Sequence, residues 1–309
     1  MKAGFKKNVV AAVEIEGLVK RYRSRPAVDG LDLSVARGEC FGLLGPNGAG
    51  KTTTLRLLLG LTQPSAGTIR VLGLPIPEQA RFARRRIGVV PQADNLDPDF
   101  TVEENLEVYA RYFGLMPAAV GDRIRSLLEF AELSDRLRSP IRELSGGTKR
   151  RLTLVRALIQ DPDLVILDEP TTGLDPHARQ HLWNRLEELR AAGRTLILST
   201  HYMEEAERLC DRVAIMDRGQ IRAEDTPRAL VDRFLPRHVL EIRETIKDRT
   251  LLDQNRCQVE VVGALTLIYS NEREYLTSLV DRLGITRYLE RPSNLEDCFL
   301  YLTGRGLRE

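Results

Sequence analysis

The amino-terminal part of the chain alternates apolar and polar residues. In Val13-Glu14-Ile15-Glu16, and again over residues 31–35, every second side chain is apolar, which is the pattern of a strand with one buried face. Residues 13–35 are therefore predicted to form a hairpin. Another strand is predicted over residues 68–72, after the turn-forming residues 64–67.

Three later segments are almost entirely apolar. They lie at residues 164–167, 195–199 and 213–216. Between the first two, Asp175 is a natural N-cap, and Pro176 is favourable at the first position of a helix. Apolar strands that alternate with helices are typical of a parallel sheet covered on both faces. The central part of the chain is thus predicted to be an α/β fold.

Helical signals interrupt this strand pattern. Thr101 and Glu104 have the spacing of a capping box, and Gly114 is a suitable C-terminal stop. A second helix is predicted over residues 122–133. We therefore expect a helical insertion over about residues 100–160.

The pattern changes once more near the C-terminus. Short alternating segments occur at residues 239–243, 258–262 and 265–269. A helix is predicted over residues 272–283, and Ser293 with Glu296 has the capping-box spacing that predicts a last helix. We expect two domains, one over residues 13–225 and a C-terminal α+β accessory domain over residues 226–309.

The length and composition fit a globular protein of this organisation. The chain has 309 residues, of which 42% are hydrophobic, enough for one large or two medium domains with their own cores. The formal net charge of +2 argues neither for nor against a nucleic-acid partner, because no face is obviously basic, and we expect no such partner. The basic runs at residues 84–86 and 149–151 are more typical of solvated or partner-facing surface. The four cysteines are far apart, without C-x-x-C spacing, so we expect reduced thiols and no zinc or redox motif.

No stretch of the sequence is long enough to cross a membrane as a helix. The longest candidate, residues 261–270, is broken by Gly263, whereas a span needs ~20 apolar residues. The apolar run at residues 9–13 is too short for a secretory signal peptide. We expect a chain that stays in the cytosol and is held at a membrane only by another protein.

The strongest chemical signal is a glycine-rich loop after an apolar strand. Residues 45–52 fit the pattern G-x-x-x-x-G-K-[ST] and follow the apolar run at residues 40–44. Glycines leave backbone N–H groups open to phosphate oxygens, and a helix beginning at Lys51 adds the positive end of its dipole. Lys51 is expected to reach the β- and γ-phosphates, and Thr52 to offer its hydroxyl to Mg²⁺.

Two carboxylates end the apolar strand at residues 164–167. Ligands bind at the carboxyl ends of strands in open parallel sheets. Asp168 is thus a candidate for holding Mg²⁺ through water, and Glu169 for polarising an attacking water as general base. Ser145 is the natural N-cap of a helix that runs to about Gln160, and the two glycines after it make a second anion cradle.

These motifs occur in the order found in ATP-binding-cassette (ABC) ATPases, and the chain resembles that family over about residues 13–222. The resemblance implies a P-loop NTPase cassette with a parallel sheet core, an antiparallel β subdomain and a helical insertion, followed here by a small α+β appendage. It implies that Tyr22 stacks on adenine and that Gln92 senses Mg²⁺ and couples to the membrane subunit. It also implies that Asp175 belongs to the loop crossing the dimer interface and that His201 contacts the γ-phosphate.

The resemblance assigns each functional residue a role. The expected ATP-binding residues are Tyr22, Gly45, Pro46, Asn47, Gly48, Ala49, Gly50, Lys51, Thr52, Thr53, Ser145, Gly146 and Gly147. The expected Mg²⁺-binding residues are Thr52, Gln92 and Asp168. The expected catalytic residues are Lys51, Gln92, Glu169 and His201. Residues 145–147 match the family's signature motif. The next position of that motif departs from the family, since Thr148 stands where Gln or, in some branches, Met is usual. We expect this departure to alter nucleotide affinity and rate, not mechanism.

Two further stretches resemble one branch of the family. Residues 86–97 and 295–305 are similar to the nodulation-factor export (NodI-like) ATPases, a branch that also includes drug-resistance ATPases. The resemblance implies a homodimer of ATPase subunits on a polytopic membrane permease (NodJ-like), peripheral at the cytoplasmic face of the bacterial inner membrane. The implied function is that of the ATP-hydrolysing motor of an ABC-2-type exporter of a lipo-oligosaccharide or similar amphiphile.

Two other classes of function remain open at this point. A soluble ABC ATPase of translation or DNA repair usually fuses two cassettes or carries a long coiled coil, and this chain has one cassette and no sustained heptads. A P-loop kinase would leave the Ser145 cradle and His201 without a role. Co-purification with a membrane protein separates the exporter from the first, and product analysis excludes the second.

Overall fold

The computed structural model describes residues 11–23, 25–243, 246 and 252–304. Contacts divide the chain into two compact units, Met1–Arg222 and Ala223–Glu309. In the first unit the strands are β1 (Ala11–Tyr22), β2 (Arg25–Ala36), β3 (Cys40–Leu44), β4 (Ala66–Val71), β5 (Leu74–Ile76), β6 (Ile87–Val90), β7 (Leu164–Asp168), β8 (Thr195–Thr200) and β9 (Arg212–Asp217), and β10 (Gln220–Asp225) runs across the boundary. The helices of this unit are α1 (Lys51–Leu58), α2 (Ala80–Arg84), α3 (Val102–Tyr112), α4 (Pro117–Phe130), α5 (Gly146–Leu158), α6 (Pro176–Ala191) and α7 (Met203–Leu209).

The alternating segments form a four-stranded antiparallel sheet in the order β2-β1-β4-β5. Ile15 of β1 lies opposite Leu33 on one side and Ile69 on the other, and all three are buried in the same core. The antiparallel β subdomain predicted from the sequence is therefore confirmed.

The apolar segments form a six-stranded sheet in the order β10-β9-β3-β8-β7-β6. β3 pairs in parallel with β8 and β9, and β7 pairs in parallel with β6 and β8. Leu44 at the end of β3 lies beside Thr200, and Asp168 at the end of β7 lies beside Ser199. Because parallel strands end at the same edge, the loops that follow β3, β6, β7 and β8 are brought together there.

Helices α3, α4 and α5 pack around a separate apolar cluster that includes Leu106, Ile124 and Leu152. The capping box of Thr101 and Glu104 is present at the start of α3. The second predicted helix is misplaced, since α4 begins at Pro117 and ends at Phe130, not at residues 122 and 133. Its start suits a proline, and its end precedes Glu132, whose φ of 55° is left-handed.

The second unit is an α+β fold. Its elements are α8 (Pro227–Phe234), β11 (His238–Ile242), β12 (Gln258–Val262), β13 (Leu265–Ser270), α9 (Arg273–Leu283), β14 (Tyr288–Pro292) and α10 (Leu295–Thr303). The strands form an antiparallel sheet in the order β12-β13-β11-β14, and Leu240, Ile268 and Leu276 contribute to its core. Over the described part of the chain, no helix has the length and apolar character of a membrane span.

The capping box predicted for the last helix is wrong by one residue. Asn294 caps α10 by accepting from the N–H of Asp297, whose carboxylate accepts in turn from the N–H of Asn294. Ser293 is buried, and its hydroxyl donates to the carbonyl oxygen of Pro236. That distant partner removes Ser293 from the capping role that its spacing from Glu296 suggested.

Candidate active site

The glycine-rich loop forms a tight turn between β3 and α1. Gly45 has no room for a side chain, because a Cβ there would lie 2.5 Å from the carbonyl oxygen of Met216. Gly50 has a left-handed φ of 110°, and a Cβ there would lie 2.4 Å from the carbonyl oxygen of Ala27. Gly50 also provides no side-chain cap for α1. The first N–H groups of the helix therefore suit an anion.

Lys51 is buried beneath this loop, with 5% of its surface exposed. Its Nζ donates to the carbonyl oxygens of Gly45, at 2.7 Å, and Pro46, at 3.3 Å. The same atom lies 3.5 Å from Oε1 of Glu169. Burial lowers the pKa of Lys51, and the Glu169 carboxylate opposes that shift. The ammonium group thus bridges the loop and the carboxylate that follows β7.

Glu169 lies at the centre of the site. Its Oε2 accepts hydrogen bonds from Nε2 of Gln92 and Oγ1 of Thr172, each at 3.2 Å. The same oxygen lies 3.5 Å from Nδ1 of His201, within range of an ion pair. Glu169 also has a left-handed φ of 47°, a strained conformation that is common at functional sites. Lys51, Gln92 and His201 therefore come from three segments of the chain and meet at one carboxylate.

The surroundings of Glu169 keep it ionised. His201 has the largest influence and, together with the charge of Lys51, lowers the pKa of Glu169 to about 2, against the opposing effect of burial. Because this pKa is below its ordinary value of 4.5, the contribution of these contacts to folding stability is present above that pH and is lost as the pH falls towards 2. At neutral pH Glu169 is a carboxylate that can accept a proton.

Asp168 is held beside this centre by two hydroxyl groups. Thr52 Oγ1 donates to Asp168 Oδ1 at 3.2 Å, and Ser199 Oγ donates to the same oxygen at 2.6 Å. The Ser199 hydroxyl also accepts from the N–H of Glu169 at 3.0 Å. A hydroxyl and a carboxylate in contact are hard oxygen ligands of the kind that Mg²⁺ prefers. The described residues contain no cluster of three or more His, Cys, Asp or Glu able to hold a metal, so a site here would depend on mixed oxygen ligands.

Tyr22 and Ser145, which were also expected in the site, have other described contacts. Tyr22 at the end of β1 is 47% exposed, and its ring lies 5.0 Å from Nζ of Lys20. Ser145 caps α5 by accepting from the N–H of Thr148 at 3.2 Å, and the two hydroxyls lie 2.8 Å apart. Asp175 caps α6. Among the described hydrogen bonds and ion pairs, none joins Tyr22 or Ser145 to the phosphate loop.

Three residues of the site had no assigned role from the sequence. Ser199 and Thr172 orient the two carboxylates, and Arg150 donates to the backbone carbonyl oxygens of the two residues that bear them. The expectation that residues 149–151 form a solvated run is wrong for Arg150, which is only 3% exposed. A run of three basic residues carries no signal that distinguishes a buried member, because the acceptors of Arg150 are at least 18 residues away along the chain.

Comparison with known proteins identifies the family. Two family models match the chain, "ABC transporter" over residues 28–172 and "Nodulation factor export protein NodI, C-terminal domain" over residues 244–304. The chain is 51% identical over 305 residues to the Nod factor export ATP-binding protein I of Ralstonia nicotianae, an alignment that covers 96% of this chain and 95% of that protein.

The chain belongs to the Nod factor export ATP-binding proteins, a branch of the ABC transporter family.

Solved structures of ABC cassettes share the fold. CbiO1 of Clostridium perfringens, described as part of the ABC transporter complex cbiONQ, has a TM-score of 0.67 and 28% identity, with 72% of this chain and 91% of that chain covered. The bacterial ABC transporter cassette MJ0796, described as dimeric, has a TM-score of 0.64 and 26% identity, with 69% of this chain and 98% of that chain covered. The P-loop ABC cassette predicted from the sequence is therefore confirmed. As a member of this ABC branch, the chain is an ATP-binding exporter ATPase, and neither the soluble ATPase nor the kinase alternative is favoured.

Proposed function

We propose that the chain hydrolyses ATP at the edge of its parallel sheet, with Mg²⁺, to drive export of a lipo-oligosaccharide of the nodulation-factor type. The single observation that supports this chemistry best is the convergence of Lys51, Gln92 and His201 on the Glu169 carboxylate. The cargo follows from the name of the relatives that share about half of their residues with this chain.

The residues around Glu169 fit ATP and a divalent cation. Nδ1 of His201 is buried and has no well-formed hydrogen bond, so it suits a further polar partner such as a phosphate oxygen. Lys51 and the backbone N–H groups at the start of α1 would bind the β- and γ-phosphates. Thr52, Gln92 and Asp168 would hold Mg²⁺, which neutralises charge that develops on the phosphate oxygens. Tyr22 would stack on the adenine ring.

The chain's own residues then supply the proton chemistry. Glu169 is ionised, and Gln92 and Thr172 fix the orientation of its Oε2. A water beside this oxygen would give up its proton to Glu169 as it attacks the γ-phosphate. Lys51 would balance negative charge on the departing phosphates, and His201 would contact the γ-phosphate. General-base catalysis of this kind is worth about 10²–10⁴ in rate.

The anion cradle of the signature motif (Ser145, Gly146 and Gly147), here called the signature cradle, would complete the ATP site of a second copy of the chain. Ser145 caps α5, whose first residues are the two glycines, and no described polar contact joins these residues to the phosphate loop of the same chain. A C₂ pair, in which each chain offers its cradle to the ATP on its partner, uses both features. The dimeric structure described for MJ0796 supports this arrangement.

The membrane partner would be a polytopic permease of the NodJ-like kind. CbiO1, which shares the cassette fold, is described as part of a transporter complex, and the relatives are named for export. The chain would then lie at the cytoplasmic face of the bacterial inner membrane as a peripheral subunit. Gln92, on the loop after β6, is the residue expected to couple it to the permease.

The dimer is tested with the purified chain. In the Glu169→Gln variant, ATP with Mg²⁺ should convert a monomer to a dimer on a sizing column, because ATP stays bound. Adding Ser145→Arg to that variant should abolish the dimer while a fluorescent ATP analogue still binds, because the cradle is needed only in trans. A monomer at saturating ATP in the single variant would contradict the shared site.

Deleting residues 226–309 should leave a folded, ATP-binding cassette. The cut falls after β10, so the six-stranded sheet stays complete, and the deleted residues include Leu240 and Ile268, which belong to a separate core. We expect one cooperative thermal transition and nucleotide affinity within about threefold of the full chain, a change below 1 kcal/mol. An insoluble or nucleotide-blind truncate would show that the second unit is needed to fold the first.

A further inference from the structure

Arg150 uses every donor of its guanidinium group. This side chain extends from α5 and is almost fully buried. Nε donates to the carbonyl oxygen of Pro170, and Nη1 donates to those of Pro91 and Gln92. Nη2 donates to the carbonyl oxygens of Asp168, at 3.2 Å, and Glu169, at 3.0 Å. An arginine has five N–H donors, and here each has a backbone acceptor.

The five acceptors lie in the two segments that carry the hydrolysis chemistry. Pro91 and Gln92 belong to the loop after β6, and the other three are the consecutive residues 168–170 that follow β7. In both segments Arg150 donates to backbone carbonyl oxygens and not to side chains. The side-chain amide of Gln92 can therefore donate to the carboxylate of Glu169, at 3.2 Å. One buried guanidinium therefore fixes the spacing between the segment that bears Gln92 and the segment that bears the two carboxylates.

Because the Arg150 guanidinium is buried, it needs a complete set of hydrogen bonds. Desolvation lowers the pKa of Arg150, and the carboxylates of Asp94, Glu205 and Asp168 oppose that shift. An arginine remains charged even so, and a buried charge is tolerated only when it is fully hydrogen-bonded. Lysine could not replace it, because an ammonium has three donors at one point and cannot span two segments.

We infer that Arg150 is a positioning residue for ATP hydrolysis: it holds the Gln92 loop and the Asp168–Glu169 segment in register and ties both to α5. Ser145 caps the same helix, about one and a half turns before Arg150. The helix that presents the signature cradle thus also holds the hydrolysis centre of its own chain. This inference rests on the proposed ATPase function.

The chain offers a matched control in the next residue. Arg151 also donates to backbone carbonyls, those of Ala131 at 2.9 Å and Glu132 at 3.4 Å, but these lie at the end of α4 and not in the site. Arg150→Lys and Arg151→Lys therefore make the same chemical change on one helix, and each removes a guanidinium from backbone acceptors. They differ in the backbone segment that loses the hydrogen bonds of the guanidinium group.

The test measures steady-state hydrolysis, binding of a fluorescent ATP analogue and amide hydrogen exchange in both variants. We expect Arg150→Lys to lower kcat about 10- to 100-fold, since displacements of about 1 Å at a catalytic group have effects of this size, with KM within about threefold. Exchange should rise at the amides of Gln92, Asp168 and Glu169, since Pro91 and Pro170 carry no amide hydrogen. Arg151→Lys should keep kcat within about threefold, with exchange rising only near residues 131–133.

Three outcomes would overturn the inference. One is unchanged kcat in folded Arg150→Lys. Another is an equal loss of kcat in both variants, which marks a general structural effect. The third is faster amide exchange in Arg150→Lys that spreads over the whole cassette. If Arg150→Lys does not fold, the same three measurements are made on Arg150→Gln, whose side-chain amide has two N–H donors. If wild-type protein releases no phosphate, the proposed function fails, and the exchange pattern alone decides the role of Arg150.

Discussion

Replacing Glu169 with glutamine should abolish phosphate release while ATP still binds. The amide keeps the shape of the side chain but cannot take a proton from water, so kcat should fall by about 10²–10⁴. Binding depends instead on Lys51, Thr52 and the N–H groups of the loop. The measurement is phosphate release at saturating ATP, beside titration with a fluorescent ATP analogue.

The same variant should bind ATP somewhat more tightly. In the structure Nζ of Lys51 lies 3.5 Å from Glu169, so the phosphates of ATP compete with this carboxylate for the ammonium group. A neutral amide removes the competitor. When the phosphates draw Lys51 away in the wild type, one of the charges that lower the pKa of Glu169 is lost, and the carboxylate becomes a better base.

The control for this variant is Glu188→Gln. Glu188 is a surface carboxylate on α6 that pairs with Arg185, and exposed pairs contribute little to stability. Its turnover should match the wild type. Near-normal phosphate release by Glu169→Gln would remove Glu169 from the mechanism, and weaker ATP binding would contradict the competition for Lys51.

Mixing two inactive variants should restore hydrolysis. Lys51→Ala loses the charge on the β/γ-phosphates and so loses ATP binding, but it keeps a sound signature cradle. Ser145→Arg blocks the cradle but keeps a sound phosphate loop. In a mixed dimer, the loop of the second variant meets the cradle of the first, which makes one intact site.

The expected recovery can be estimated from symmetry. Each mixed dimer has one of its two sites intact, so it should release at most about half as much phosphate as a wild-type dimer. As the control, each variant is measured alone at the same total protein concentration, and neither should release phosphate. No recovery at any ratio, from two variants that fold and that each keep their other function, would contradict a site shared between two chains.

The two sheets of the first unit could be predicted from the hydrophobic pattern, because some of their strands alternate apolar and polar residues and others are almost entirely apolar. The alternation at residues 13–16 marked the antiparallel sheet, and the apolar run at residues 164–167 marked the parallel one. β14 was missed, since Tyr288–Pro292 has neither pattern; both its leading residues, Tyr288 and Leu289, are exposed. An edge strand with an exposed face leaves a weak signal.

The candidate site was predictable where a motif carries its own chemistry. The residues at 45–52 and 168–169 stand out because glycines, lysine and paired carboxylates follow strands. Ser199, Thr172 and Arg150 did not stand out, because each acts through a contact that only the folded chain creates. Ser293 illustrates the same limit: its spacing from Glu296 suits a cap, but its hydroxyl has a partner at Pro236, which is 57 residues away.

The central claim, that hydrolysis at Glu169 drives export, is tested most directly by reconstitution. The chain would be placed with its permease in vesicles, with a labelled lipo-chitooligosaccharide and ATP on the side of the ATPase. We predict that the label moves across the membrane only with ATP and Mg²⁺, in step with phosphate release, and that Glu169→Gln stops both. Phosphate release that continues without any movement of the label, or movement that persists in Glu169→Gln, would contradict the account.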